Sequence, residues 1–70
     1  MKEIKSMIAG SVWKINVHLG DEVLEGQEVV ILESMKMEIP IESEFQGKVV
    51  KINTAEGSFV NDGDVLIELE

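Results

Sequence analysis

Residues Ile31-Leu32-Glu33-Ser34-Met35-Lys36-Met37-Glu38 can be read in two ways, and the choice decides the fold. Most of them are good helix formers, and Pro40 would stop a helix just beyond them. The same residues also fit a β-hairpin with Met35-Lys36 at its tip. The sequence further out favours the hairpin. Shifted by 37 positions, residues 4–33 align with residues 41–70, and twelve of the thirty pairs are identical, where ordinary composition gives about two. Residues 28–33 therefore correspond to 65–70, which follow Asp62-Gly63-Asp64 and alternate as a strand does. A helix of about two turns standing alone is marginal.

The chain is thus a duplicated unit, with copies at 4–33 and 41–70 joined by a hairpin at 34–40. Glycines at 10, 20 and 26 recur at 47, 57 and 63, and turn chemistry accounts for all six on this reading. Between them lie short β-branched runs, which predict strands at 2–8, 11–18, 22–24, 28–33, 37–42, 48–54, 59–61 and 65–69. A four-stranded sheet from either copy would leave one apolar face uncovered. The two copies are therefore expected to close into an all-β, flattened eight-stranded barrel or sandwich of two four-stranded sheets with pseudo-twofold symmetry. Repeated apolar positions nominate the core: Ile4/Ile41, Val12/Val49, Ile15/Ile52, Val23/Val60 and Leu32/Leu69.

Seventy residues make a single domain, 1–70, with a thin core and little room for a catalytic pocket. There is no cysteine, which excludes disulfides and thiolate metal sites and points to a reducing, cytoplasmic setting. The net charge of −8 repels phosphate backbones, so nucleic acid is not an expected partner. No apolar run is long enough to span a bilayer and no signal peptide is apparent, so no membrane partner is expected either.

Lys36 is the candidate functional residue. A Met-Lys hairpin tip breaks the preference of two-residue turns for Asn and Gly, and such local conflicts concentrate at functional sites. Met35 and Met37 cannot both be buried beside a tip residue, so the hairpin shows soft apolar surface to a partner. Glu33, Glu38 and Glu42 make its surroundings acidic. Other residues have plainer readings. His18 is solitary; Asn61-Asp62-Gly63-Asp64 lacks the ligand pattern of a calcium loop; Trp13 corresponds to Val50 in the repeat and is expected to be packing. No serine, histidine and acid arrangement suggests a hydrolase.

Glu33-Ser-Met-Lys-Met-Glu38 resembles the modification motif of biotinyl domains, the carrier modules of biotin-dependent carboxylases. The resemblance covers the whole chain: Ala9-Gly-Ser-Val-Trp13, Gly20-Asp-Glu-Val-Leu-Glu-Gly-Gln27 and Gly57-Ser-Phe-Val-Asn-Asp-Gly-Asp64 match the repeated elements of the family in order and spacing. It is similar above all to the small single-domain attachment proteins. Ser6-Met7 and Ser43-Glu44 stand where the family often has Ala-Pro, and Ser34 where alanine is commoner. The resemblance implies that a biotin protein ligase acylates Lys36 with biotin, that Met35 and Met37 flank the lysine for recognition, and that Glu33, Ser34 and Glu38 support the motif. It also implies a carrier that catalyses nothing itself. Its arm would move a carboxyl group on a biotin ureido nitrogen between the biotin carboxylase and carboxyltransferase components of a carboxylase, the isolated domain being a monomer. An exposed lysine is a cation at neutral pH, so the ligase must remove its water and its proton. Two alternatives share the fold. A lipoyl carrier of a 2-oxoacid dehydrogenase-type system typically has Asp-Lys-Ala at the tip, and a non-carrier structural module has no reason to keep a tip lysine.

Overall fold

The alternation of inward apolar and outward polar side chains is realised as eight strands. The computed structural model describes residues 2–70; Met1, the first residue of the expected domain, lies outside them. The strands are β1 (Lys2–Lys5), β2 (Gly10–Ile15), β3 (Glu22–Val23), β4 (Glu28–Ser34), β5 (Met37–Glu42), β6 (Gly47–Ile52), β7 (Phe59–Val60) and β8 (Val65–Leu69). Every expected strand is present, and 31–38 is a hairpin, not a helix. Several strands stop earlier than expected. β1 ends at Lys5 because the buried Ser6 hydroxyl donates to the Ile8 carbonyl and accepts from the Ile8 N–H, turning the chain. Ser43 does the same after β5, with Oγ 2.6 Å from the Phe45 carbonyl and 3.1 Å from the Phe45 nitrogen.

The strands form two four-stranded antiparallel sheets, ordered β1-β8-β6-β3 and β5-β4-β2-β7. Adding 37 to β2 and β3 gives β6 and β7 residue for residue and carries β1 and β4 onto β5 and β8 with ragged ends, and the same shift converts one sheet order into the other. A pseudo-twofold axis thus relates the sheets, as the repeat implies. One expectation is corrected: a repeat copy does not make a sheet of its own. Each sheet takes two strands from each copy, and β1 and β3 find their strand partners, β8 and β6, in the second copy. The short segments after β1 and β5 carry the chain from one sheet to the other, so neither copy can complete a wall alone.

The core between the sheets consists of Ile4, Val12, Val17, Val23, Val29, Val30, Leu32, Ile41, Val49, Val60, Leu66, Ile67 and Leu69. Four of the five nominated pairs are buried; Ile15 and Ile52 are only partly so and pack against the core from its margin. Trp13 is not the packing residue expected. It is the extra residue of a bulge in the β2–β4 ladder and is 49% exposed, as Val50 is the extra residue in the equivalent β6–β8 bulge. Val12 before it points inward, so Trp13 points out, and the bulge keeps Lys14 outside as well.

Four glycines do sit in turns, with φ between 86° and 91° at positions 20, 26, 57 and 63. Gly10 and Gly47 do not, which corrects the uniform turn reading. They open β2 and β6, where a Cβ would lie 2.8 Å from the Glu33 carbonyl oxygen and 2.7 Å from that of Glu70. Gly10 therefore lets β2 approach β4 just before the tip of the hairpin. Gly10→Ala should force the two backbones apart and cost about 1–3 kcal/mol, as overpacking does, lowering the melting temperature by at least about 4 °C in a domain this small. An unchanged thermal transition would show that the strands separate there without cost.

Candidate functional site

β4 and β5 pair from Glu28↔Glu42 through Ile31↔Pro40 and Glu33↔Glu38 to Ser34↔Met37, leaving Met35 and Lys36 as the loop. A right-handed sheet twist admits so short a loop only in a primed turn. Both residues comply: φ is 52° at Met35 and 64° at Lys36, and they alone among the described non-glycine residues have positive φ. The turn is type I′ without the Asn or Gly that such turns prefer. Left-handed backbone at a residue with a Cβ costs of order 1–3 kcal/mol, and packing does not offset it, since Met35 is 92% exposed. The paired strands below hold the turn in place.

Putting the preferred Asn-Gly pair into this turn tests that strain. The double substitution Met35→Asn/Lys36→Gly should raise the melting temperature by roughly 4–8 °C per kcal/mol relieved, while removing the amine. A lower melting temperature would show that the Met and Lys side chains stabilise the turn through contacts.

The tip gathers the expected residues unevenly. Lys36 is exposed, and Met37 beside it is 63% exposed, so apolar surface does flank the amine on both sides. Ser34 is half-buried, and Glu33 and Glu38 face each other across the ladder one pair below the turn. Glu42 is not at the tip. It ends β5, five residues from Met37 or roughly 17 Å along a strand, so the acidic surroundings come from Glu33 and Glu38. Neither ion pair among the described residues, Lys5–Glu3 and His18–Asp21, involves Lys36. The other five lysines all lie within strands β1, β2 and β6. Lys36 lines neither of the two surface grooves, of about 460 and 530 Å³, and no group of three or more His, Cys, Asp or Glu capable of holding a metal occurs among the described residues. The 61–64 segment closes on itself, with the Asp64 carboxylate accepting from the Asn61 N–H at 2.8 Å. Reasoning from sequence missed Gly10 as the support of the hairpin base; its place at the head of a strand, repeated at Gly47, was the available signal.

Lys36 projects from the β4–β5 end of the two-sheet core. β5 runs from that turn to Glu42, and the segment after it leads to Gly47, which packs on Glu70 at the pole where β1 begins and β8 ends. A lysine held out on a strained two-residue turn of a two-sheet barrel is an arrangement suited to presenting one side chain to other proteins. Residues 2–69 match the family model described as "Biotin-requiring enzyme", and the chain belongs to that family. It is 53% identical over 66 residues to the biotin/lipoyl attachment protein of Bacillus subtilis, covering 94% of this chain and 90% of the relative. It is 39% identical over 67 residues to the mitochondrial propionyl-CoA carboxylase alpha chain of Sus scrofa, covering 96% of this chain but only 9% of that much longer protein. Among solved structures, Kluyveromyces lactis urea carboxylase superposes with a TM-score of 0.91 and 33% identity, over 99% of this chain and 6% of that one.

Proposed function

We propose that Lys36 is the residue acylated with biotin by a biotin protein ligase, and that the domain then serves the carboxylase and carboxyltransferase components of a biotin-dependent carboxylase. The observation that carries this reading is the placement of one lysine, between two exposed methionines, on a turn where neither Met35 nor Lys36 is the residue the backbone prefers. The amine suits an amide linkage, because it has no ion pair among the described residues that acylation would break. When bound, biotin supplies the ureido nitrogen on which a carboxyl group can travel. The protein's part is to project the arm and keep the barrel rigid beneath it. Tethering then makes the second encounter intramolecular, at an effective concentration of order millimolar. The domain itself performs no catalysis on this reading and acts as a monomer.

Lipoate is the second reading, favoured by the name of the Bacillus subtilis relative, a biotin/lipoyl attachment protein. Mass measurement of the denatured protein from its native source, with peptide mapping of the adduct, separates the two. A biotinyl adduct on Lys36 is the expected result. A lipoyl adduct would transfer the site to the other cofactor, and an unmodified chain would remove the carrier role.

A further inference from the structure

The internal duplication supplies a comparison of one sheet with the other, because the two outer faces are related by the pseudo-twofold and have the same backbone. On the β1-β8-β6-β3 face, outward residues are charged and mostly offset by opposite charge: Glu22 faces Lys48, Lys51 faces Glu68, and Glu3, which also faces Glu68, has Lys5 at 3.9 Å. On the β5-β4-β2-β7 face the equivalent pairs are Phe59 opposite Ser11, and Lys14 opposite Ile31. Pro40 likewise replaces Glu3. At these four positions, Phe59, Ser11, Ile31 and Pro40, a charge present on one face is replaced by an apolar or small residue on the other. Phe59 is 65% exposed, and Trp13, 49% exposed, lies at the bulge beside the Lys14–Ile31 pair.

The charge around this apolar centre has diverged as well. The strands of the β5-β4-β2-β7 sheet carry four acidic side chains and one basic, whereas the other sheet carries three acidic and four basic. The four acids stand in two facing pairs, Glu28↔Glu42 and Glu33↔Glu38. Like charges directly opposite each other in a ladder destabilise it, and neither ion pair among the described residues relieves them. An apolar, aromatic centre within a charged rim is the anatomy of a protein interface, and this one runs up β4 and β5 to Lys36.

From this asymmetry we infer that the outer face of the β5-β4-β2-β7 sheet is a docking surface, and that its occupant is the enzyme that acylates Lys36. The inference rests on the proposed role of Lys36. An enzyme that activates biotin as its adenylate must hold a phosphate-bearing anion, which requires basic groups beside the amine's approach. Those cations meet the unrelieved acids on this face, while the aromatic centre supplies buried area.

The sister copy provides the test. Phe59→Glu with Ile31→Glu installs the residues that the equivalent positions Glu22 and Glu68 already carry, so the backbone is known to accept them, and Lys14 stands opposite position 31 as Lys51 stands opposite Glu68. With apo-domain, ATP, biotin and a biotin protein ligase, the double variant should show KM raised at least about tenfold, with kcat nearly unchanged, and Glu22→Gln on the opposite sheet should behave as wild type. Trp13→Val, again the sister residue, serves where the double variant melts early; it should raise KM in the same sense. Unchanged KM in a folded variant overturns the docking face while leaving Lys36 as the acceptor. Normal acylation with impaired carboxylation of the holo-domain would give the face to the carboxylase and overturn the assignment to the ligase. A wild-type domain that takes no label removes the acceptor role and this inference together.

Discussion

Replacing Lys36 with arginine is expected to abolish biotin incorporation completely and to leave the melting temperature within about 4 °C of wild type. Arginine retains the positive charge and the length of the side chain, but its guanidinium stays protonated at any workable pH and offers no free amine. Fold stability should hardly respond. Lys36 is exposed, makes no ion pair among the described residues and already occupies left-handed backbone, so an L-residue in its place meets the same strain. The remaining lysines, at 2, 5, 14, 48 and 51, provide an internal control. Each is fixed within a strand, where a ligase would have to approach across the sheet instead of from a free end. Streptavidin signal surviving on Lys36→Arg would place the acceptor among those five, and the reading of the hairpin would fall with it.

The hairpin is legible in the sequence because duplication converts an ambiguous stretch into a comparison. Residues 31–38 alone admit a helix or a hairpin, but 28–33 correspond to 65–70, which satisfy only the strand. Lys36 is legible for a related reason: Met35-Lys36 violates a turn preference, and the structure shows the violation as two positive φ angles. Other features were hidden because a repeat identifies equivalent positions without saying which strands pair. The exchange of strands between copies depends on the segments after Ser6 and Ser43 crossing from wall to wall, and the serine hydroxyls that turn the chain there resemble any other polar strand residue. Gly10 and Gly47 looked like turn glycines because φ and interstrand distance leave the same mark on a sequence. Trp13 escaped because its repeat counterpart, Val50, suggested a packed position, whereas both are the extra, exposed residues of equivalent bulges.

The exchange of strands sharpens the expectation for the separated halves. Cut between Met35 and Lys36, the chain gives fragments 1–35 and 36–70. Four of the six strand pairings among the described residues cross that cut: β1–β8, β2–β7, β3–β6 and β4–β5. Only β2–β4 survives in the first fragment and β6–β8 in the second. A two-stranded ribbon is marginal in water, and Val12, Val23 and Leu32 would lose the part of the buried core that Val49, Val60 and Leu69 supply. Each fragment alone should therefore lack a cooperative thermal transition and show little native strand signal by circular dichroism. Mixed in equal amounts, they should recover both, because the cut severs one peptide bond in an exposed turn and leaves every strand whole. The recovered transition should move to higher temperature as concentration rises, since association now contributes to stability. A single fragment that melts cooperatively would mean that one copy can close a core unaided, and the interleaved sheets would then be a consequence of duplication instead of the condition for folding.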